Sequence, residues 1–253
     1  MKVVSFSIFK GGTGKTTSTV NTAAALVAKG KRVLLVDLDQ QASATRYLDL
    51  DPEQSPSLYE VFMGAKPAAL AIRKTNFGID VLSSHVLMAA IEEALEPGDE
   101  LKLSELIRPL KPDYDFILVD TPPGKAMLAF NGLAAADLII IPSSAERMAV
   151  DGVADLINHV QKIMWSKFAL THQELRILFT MYRPTTSHSP AIVGNAKKIW
   201  RDNVLTAKIP HSTIFARSYD EKKPINILDP RHQGTIAYGV FADWLISYEE
   251  TTH

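Results

Sequence analysis

FKGGTGKTT (residues 9–17) is the stretch from which the rest of the chain is read. The general phosphate-binding loop is written G-x-x-x-x-G-K-[ST]. Gly14, Lys15 and Thr16 supply its second half, but Phe9 stands where the first glycine belongs. An additional lysine, Lys10, sits at the mouth of the loop. The flanks are those a phosphate loop needs: the apolar run KVVSFSIF (2–9) before it and the alanine-rich KTTSTVNTAAALVAKG (15–30) after it. Gly11, Gly12 and Gly14 allow the backbone to curl with its N–H groups inward, an anion-binding nest. The helix that follows adds its positive end. Within Lys10–Thr17, Lys15 can reach the β- and γ-phosphates and the Thr16 hydroxyl can ligate Mg²⁺, with Thr13 and Thr17 completing the nucleotide contacts. A glycine-rich turn with chance lysines would not need this strand–loop–helix setting.

Outward from the loop, β-branched runs alternate with helical stretches. Strands are expected at 2–9, 31–39, 78–84, 114–120, 136–142, 175–182 and 203–210. Helices are expected at 15–30, 42–50, 86–95, 99–110, 124–135, 145–165, 188–202 and 232–248. The runs KRVLLVDLD and YDFILVD show almost no polar alternation, which suits a parallel sheet covered on both faces. The expected fold is α/β: a doubly wound, mostly parallel sheet flanked by helices, in one domain spanning 1–253. Residues 51–77 are the least regular region and are read as an excursion within that domain.

In such sheets ligands bind along the edge formed by the strand C-termini. The phosphate loop, Asp37, Asp39 and Asp120 all fall there. Asp120, ending FILVD before TPPG, has the Walker B arrangement of a metal-holding aspartate, although an aspartate ending a strand is also a common cap or turn residue. Asp37 and Asp39, two apart, would share a face of a strand. Asp39 either caps the helix beginning near residue 42 or orients an attacking water; Asp37 is assigned to the metal environment.

The 253 residues are 46% hydrophobic and 22% charged with a net charge of -1, so no global basic field points to nucleic acid and any such contact must be local. Cysteine is absent, which excludes a disulfide framework, a thiolate zinc site and a cysteine-bound iron–sulfur cluster. No apolar stretch reaches the roughly 20 residues that span a bilayer. The expectation is a cytoplasmic protein.

Taken together, KGGTGKTT, LLVDLDQQASAT and FILVDTPPG resemble the ParA/MinD superfamily of deviant Walker ATPases, closest to its short ParA branch. Weaker likeness continues through LFTMYRPTTSHS and AKIPHSTIFARSYDEKKPI, so the resemblance covers nearly the whole chain. It implies slow ATP hydrolysis with ATP and Mg²⁺, stimulated by a ParB-like or cargo-adaptor partner. It implies a homodimer sandwiching two nucleotides, with Lys10 reaching the nucleotide of the other subunit, and catalytic roles for Lys10, Lys15 and Asp39. It implies a base pocket near Met181, Tyr182 and Pro210, which would serve equally well as core and turn residues. It implies non-specific DNA binding on the nucleoid; the candidate contacts are Lys197, Lys198, Arg201, Arg217, Lys222 and Lys223, each otherwise an ordinary solvated residue. Two positions depart from the pattern: Gln40 replaces the usual proline, and His211 stands where the family often has arginine. The expected activity is DNA partition, with positioning of a non-DNA cargo as the alternative. A membrane-cycling MinD-like role would need a basic amphipathic C-terminal helix, and the tail FADWLISYEETTH is acidic.

Overall fold

The structure, a computed structural model, describes residues 1–171 and 173–251. Its strands are β1 (Lys2–Phe6), β2 (Val33–Asp37), β3 (Ile72–Lys74), β4 (Asp80–Leu82), β5 (Phe116–Asp120), β6 (Leu138–Ser144), β7 (Glu174–Tyr182) and β8 (Val204–Pro210). The α-helices are α1 (Lys15–Ala28), α2 (Ser43–Tyr47), α3 (Leu58–Phe62), α4 (Met88–Ala94), α5 (Lys102–Ile107) and α6 (Met127–Ala134) in the first half. The second half adds α7 (Arg147–His159), α8 (Ser166–Phe168), α9 (His188–Trp200), α10 (Ile214–Asp220), α11 (Ile225–Leu228) and α12 (Gln233–Thr251). The strands form one sheet in the order β3-β4-β2-β5-β1-β6-β7-β8. Every neighbouring pair is parallel except β3 with β4.

Every residue of β2, β5 and β6 is buried. The unalternating apolar runs therefore mark strands covered on both faces. On one face, α1 and α12 close a core that includes Phe6, Tyr47, Tyr238 and Phe241. The other face carries two cores, one beneath α3–α5 around Leu58, Phe62 and Leu103, and one beneath α7 and α9 around Leu156 and Phe179. The antiparallel β3 ends the sheet with Lys74 paired to Asp80, a charged edge that discourages further strand pairing.

Local structure differs from expectation in several stretches. Residues 51–77 contain α3 and β3. Helix α3 opens with a capping box, the Ser57 hydroxyl accepting from the Tyr59 N–H and Glu60 reaching back to the Ser57 N–H. The segment after β8 holds α10 and α11. The expected helix 99–110 is regular only as α5, because Pro109 and Pro112 force the following 3₁₀ turns. The expected helix 145–165 continues from α7 through a π-helical segment, Val160–Trp165, into α8. Strand β1 ends at Phe6, leaving residues 7–9 to the loop.

Candidate functional site

Strand β1 delivers the phosphate loop to the middle of the sheet edge. Gly12 (φ 72°) and Gly14 (φ 84°) take the left-handed conformation that turns the chain into α1, a conformation costly for residues with a Cβ. Helix α1 has no side-chain cap and no acidic residue in its first turn, so its leading N–H groups are left for an anion. The loop is anchored from β7, where the Thr180 hydroxyl donates to the Thr13 carbonyl at 2.8 Å. Lys15 is 7% exposed. Burial lowers its pKa, while the nearby carboxylates of Asp120 and Asp39 pull the other way. A phosphate would do the same.

Phe9 fills the position of the missing glycine with an anchor. Its ring meets Phe130 and His159 edge-on, and the Lys125 ammonium lies over it, 5.3 Å from the ring centre. Lys10 is half-buried at the loop mouth, close to Gly152 of α7. Among the described residues its ammonium has no ion-pair partner.

Three carboxylates face the loop. The parallel register sets Asp37 directly beside Asp120. Asp37 is fully occupied by protein donors: Oδ1 accepts from the Asp39 N–H, and Oδ2 from the Thr45 N–H and hydroxyl at 2.8 and 2.7 Å. Asp120 accepts from the Thr19 hydroxyl at 3.2 Å through Oδ1; its buried Oδ2 makes no close hydrogen bond, with the Thr16 hydroxyl beside the carboxylate. Burial, then the Asp37 charge, pushes the Asp120 carboxyl up to about 8; burial pushes Asp37 up to about 7 despite the Thr45 donors. Strand β2 ends at Asp37, so the alternation rule does not extend to Asp39 in the loop beyond. Asp39 is 8% exposed, its pKa raised by burial against the opposing pull of the Gln41 N–H and the Lys15 charge. Helix α2 is preceded by Ala42, not by an aspartate cap.

An unpartnered buried carboxylate oxygen near the Thr16 hydroxyl fits a hard divalent cation. Among the described residues no three His, Cys, Asp or Glu side chains form a metal cage. Mg²⁺ needs none, because it keeps waters and uses one or two carboxylates together with phosphate oxygens.

Beyond Gly14 and Thr17 a pocket of about 130 Å³ opens between β7, β8 and α12. Met181 and Pro210 line it, together with Thr180, His211, Phe215 and Tyr238. Tyr182 does not line it. Regular alternation would keep Tyr182 on the side of Thr180, but Met181 takes a left-handed φ of 50° where the β7–β8 ladder is irregular, and the ring packs instead on the core under α7 and α9, with the Lys208 ammonium over it. The additional lining residues lie in segments up to 58 positions apart along the chain, from Thr180 to Tyr238, and only the sheet brings them together.

The six basic candidates divide into two groups. Arg217 pairs with Glu221 at 2.7 Å, Lys222 with Asp49 at 2.8 Å, and Lys223 approaches Glu221 at 3.7 Å. Lys197, Lys198 and Arg201 are exposed around the C-terminal end of α9, where Lys197 and Arg201 border a groove with Trp244. His211 is exposed and bonded to Arg183 at 2.9 Å. Among the described residues no helix is long and apolar enough to cross a membrane.

Comparison with known proteins agrees with this geometry. The AAA_31 family model, described as an AAA domain, matches residues 1–177. The sporulation initiation inhibitor protein Soj of Bacillus subtilis is 32% identical over 242 residues, covering 94% of this chain and 95% of its own. The chromosome partitioning protein ParA of Caulobacter vibrioides is 30% identical over 259 residues, covering 98% and 95%. A Mycobacterium smegmatis structure, described as cobyrinic acid a,c-diamide synthase with bound ADP and magnesium, superimposes with a TM-score of 0.86 at 29% identity, covering 100% of this chain and 97% of its own. The phosphate loop on this sheet, the family match over residues 1–177 and identities of 30–32% to Soj and ParA over nearly the whole chain identify it as a P-loop ATPase of the ParA/MinD superfamily, on the side of the ParA-type partition proteins.

Proposed function

We propose that this protein is an ATP-switched partition ATPase: two copies close on two ATP molecules, the closed dimer binds DNA non-specifically, and a cargo-bound partner speeds otherwise slow hydrolysis. The observation that carries this is Lys10. Its own loop already has Lys15 to meet a phosphate, yet Lys10 stands at the mouth without a carboxylate partner among the described residues. A lysine so placed suits the triphosphate of a facing subunit, which makes ATP part of the dimer contact and links nucleotide state to assembly.

The α1 N-terminus, the loop amides and Lys15 bind the triphosphate, and the pocket bordered by Met181, Pro210 and Phe215 takes the base. Thr16 and Asp120 would hold Mg²⁺, with Asp37 orienting the surrounding shell; the ion neutralises phosphate charge as the terminal phosphoryl leaves. Asp39, beside Lys15, orients the attacking water. Lys197, Lys198 and Arg201 are the phosphate-contact candidates for DNA, because the α10 set is already paired. Binding of this kind places the protein on the nucleoid in the cytoplasm.

Light scattering and DNA co-sedimentation with ATP, ADP or no nucleotide across a salt series test the reading. ATP should be required for both dimer and DNA binding, and DNA binding should weaken steeply with salt. Lys10→Ala should still bind ATP as a monomer and lose both. An ATP dimer that ignores DNA at low salt points to a non-DNA cargo; a monomer in every nucleotide state overturns the switch.

A further inference from the structure

We propose that Glu92 is a positioning residue for hydrolysis, holding the loop after Asp120 by capping a helix to which it does not belong. Helix α6 follows that loop, and its own N-cap is Ala126, which supplies no side-chain hydrogen bond; its first turn has no acidic residue. The Glu92 carboxylate of α4 does what a cap would do. Oε1 accepts the Met127 N–H at 2.7 Å and Oε2 the Leu128 N–H at 2.9 Å. Two of the leading amides of α6, and the positive end of its dipole, are thereby served by one carboxylate from outside.

The consequence reaches the nucleotide edge because α6 has little room to move. A Cβ placed on Gly132 of α6 would lie 2.5 Å from Thr121 Cγ2 and 3.1 Å from Leu38 Cδ1. Thr121 follows Asp120, and Leu38 lies between Asp37 and Asp39. Residues 121–126 are thus stretched between the end of β5 and a helix start that Glu92 secures.

The same segment grips the other carboxylate loop. Ser84, eight residues before Glu92, donates its hydroxyl to the Asp39 carbonyl at 2.7 Å, and its N–H donates to Thr45 Oγ1 at 3.0 Å, the hydroxyl that in turn donates to Asp37. Residues 84–92 therefore bridge the Asp37/Asp39 loop and the Asp120 loop, and Glu92 is the end of the bridge whose failure frees the Asp120 side. The neighbouring Glu93 is exposed and makes no such contact, so it serves as an internal control.

The catalytic consequence rests on the ATPase reading above, and the test separates the two. Glu92→Ala, Glu92→Gln and Glu93→Ala are compared with the wild type for kcat and KM for Mg-ATP and for amide hydrogen exchange. Glu92→Ala should lower kcat by about tenfold or more, as small misplacements of reacting groups do, with KM within about twofold. Glu92→Gln, which keeps one carbonyl acceptor, should fall between, and Glu93→Ala should match wild type. Exchange should accelerate at residues 121–130 in Glu92→Ala while α1 stays protected. If kcat per folded molecule is unchanged, or exchange there is unaltered, the assignment is wrong. Should Glu92→Ala not fold, Glu92→Gln decides by the same two readouts. Absence of ATP turnover in the wild type would overturn the ATPase reading alone, and hydrogen exchange would still decide whether Glu92 secures the loop.

Discussion

Replacing Gly132 by alanine offers a direct measure of how tightly α6 is set against the carboxylate loops. In an ordinary exposed helix interior the change is stabilising by about 1 kcal/mol, because alanine loses less backbone entropy. Here the new methyl would sit 2.5 Å from Thr121 Cγ2. Thr121 cannot simply turn away: it is 1% exposed, and its hydroxyl donates to the Phe6 carbonyl at 2.9 Å. Overpacking of this kind costs about 1–3 kcal/mol. Rotating Thr121 out of the way leaves a buried carbonyl without its donor, about 1–3 kcal/mol more. Against the gain of about 1 kcal/mol, the net loss should be about 3 kcal/mol, or roughly 6–12 °C in Tm for a chain of this length. Denaturant and thermal unfolding of Gly132→Ala measure it, with Gly239→Ala in α12 as the comparison, since nothing lies within 4 Å of a Cβ there. The comparison variant should be as stable as wild type or better. If Gly132→Ala is equally stable, α6 is not pressed against Thr121 and the packing argument for the Asp120 loop fails.

Three further expectations concern the site itself. With Asp37 and Asp120 raised to about 7 and about 8 from an unfolded value of 3.8, the unfolded chain sheds protons that the folded nucleotide-free protein keeps; stability should fall as pH rises from about 4 to 8 and then level off. Urea midpoints across that range should show the slope, Asp120→Asn should lessen it, and a flat profile would mean that the two carboxyls are not titrating as a buried pair. Asp39→Ala should keep nucleotide affinity and lose turnover by about 100-fold or more, read by phosphate release beside a fluorescent-nucleotide titration; normal turnover would move the water-orienting role elsewhere. Thr180→Val leaves the Thr13 carbonyl without its donor, a loss of about 1–3 kcal/mol that should weaken nucleotide binding about fivefold or more. Unchanged affinity would show that β7 does not hold the loop.

By itself the sequence determined the parts of this protein whose physics is local. A glycine that must turn left-handed, a lysine beside it and an apolar run before it are neighbours along the chain, so the phosphate loop, the buried strands and the aspartates ending them could be read directly. The capping box that starts α3 was equally local, and its S-L-Y-E spelling was there to be found. What only the tertiary structure decided depends on contacts between distant segments. Tyr238 and Phe215 join the pocket beside the phosphate loop because α10 and α12 fold back over β7 and β8. Tyr182 lies outside it because the left-handed turn at Met181 breaks the alternation that would have kept the ring beside Thr180. Asp37 differs from Asp120 through its donors: Thr45 and the Asp39 N–H fill both oxygens of Asp37, whereas Oδ2 of Asp120 is left without a hydrogen bond. Pairing with Glu221 and Asp49 decides which lysines and arginines remain free for a phosphate backbone. Glu92 caps a helix 35 residues further along the chain. Spacing in a sequence records neighbours on one helix or strand; it does not record which surfaces meet when hydrophobic burial closes eight strands and their helices into one body.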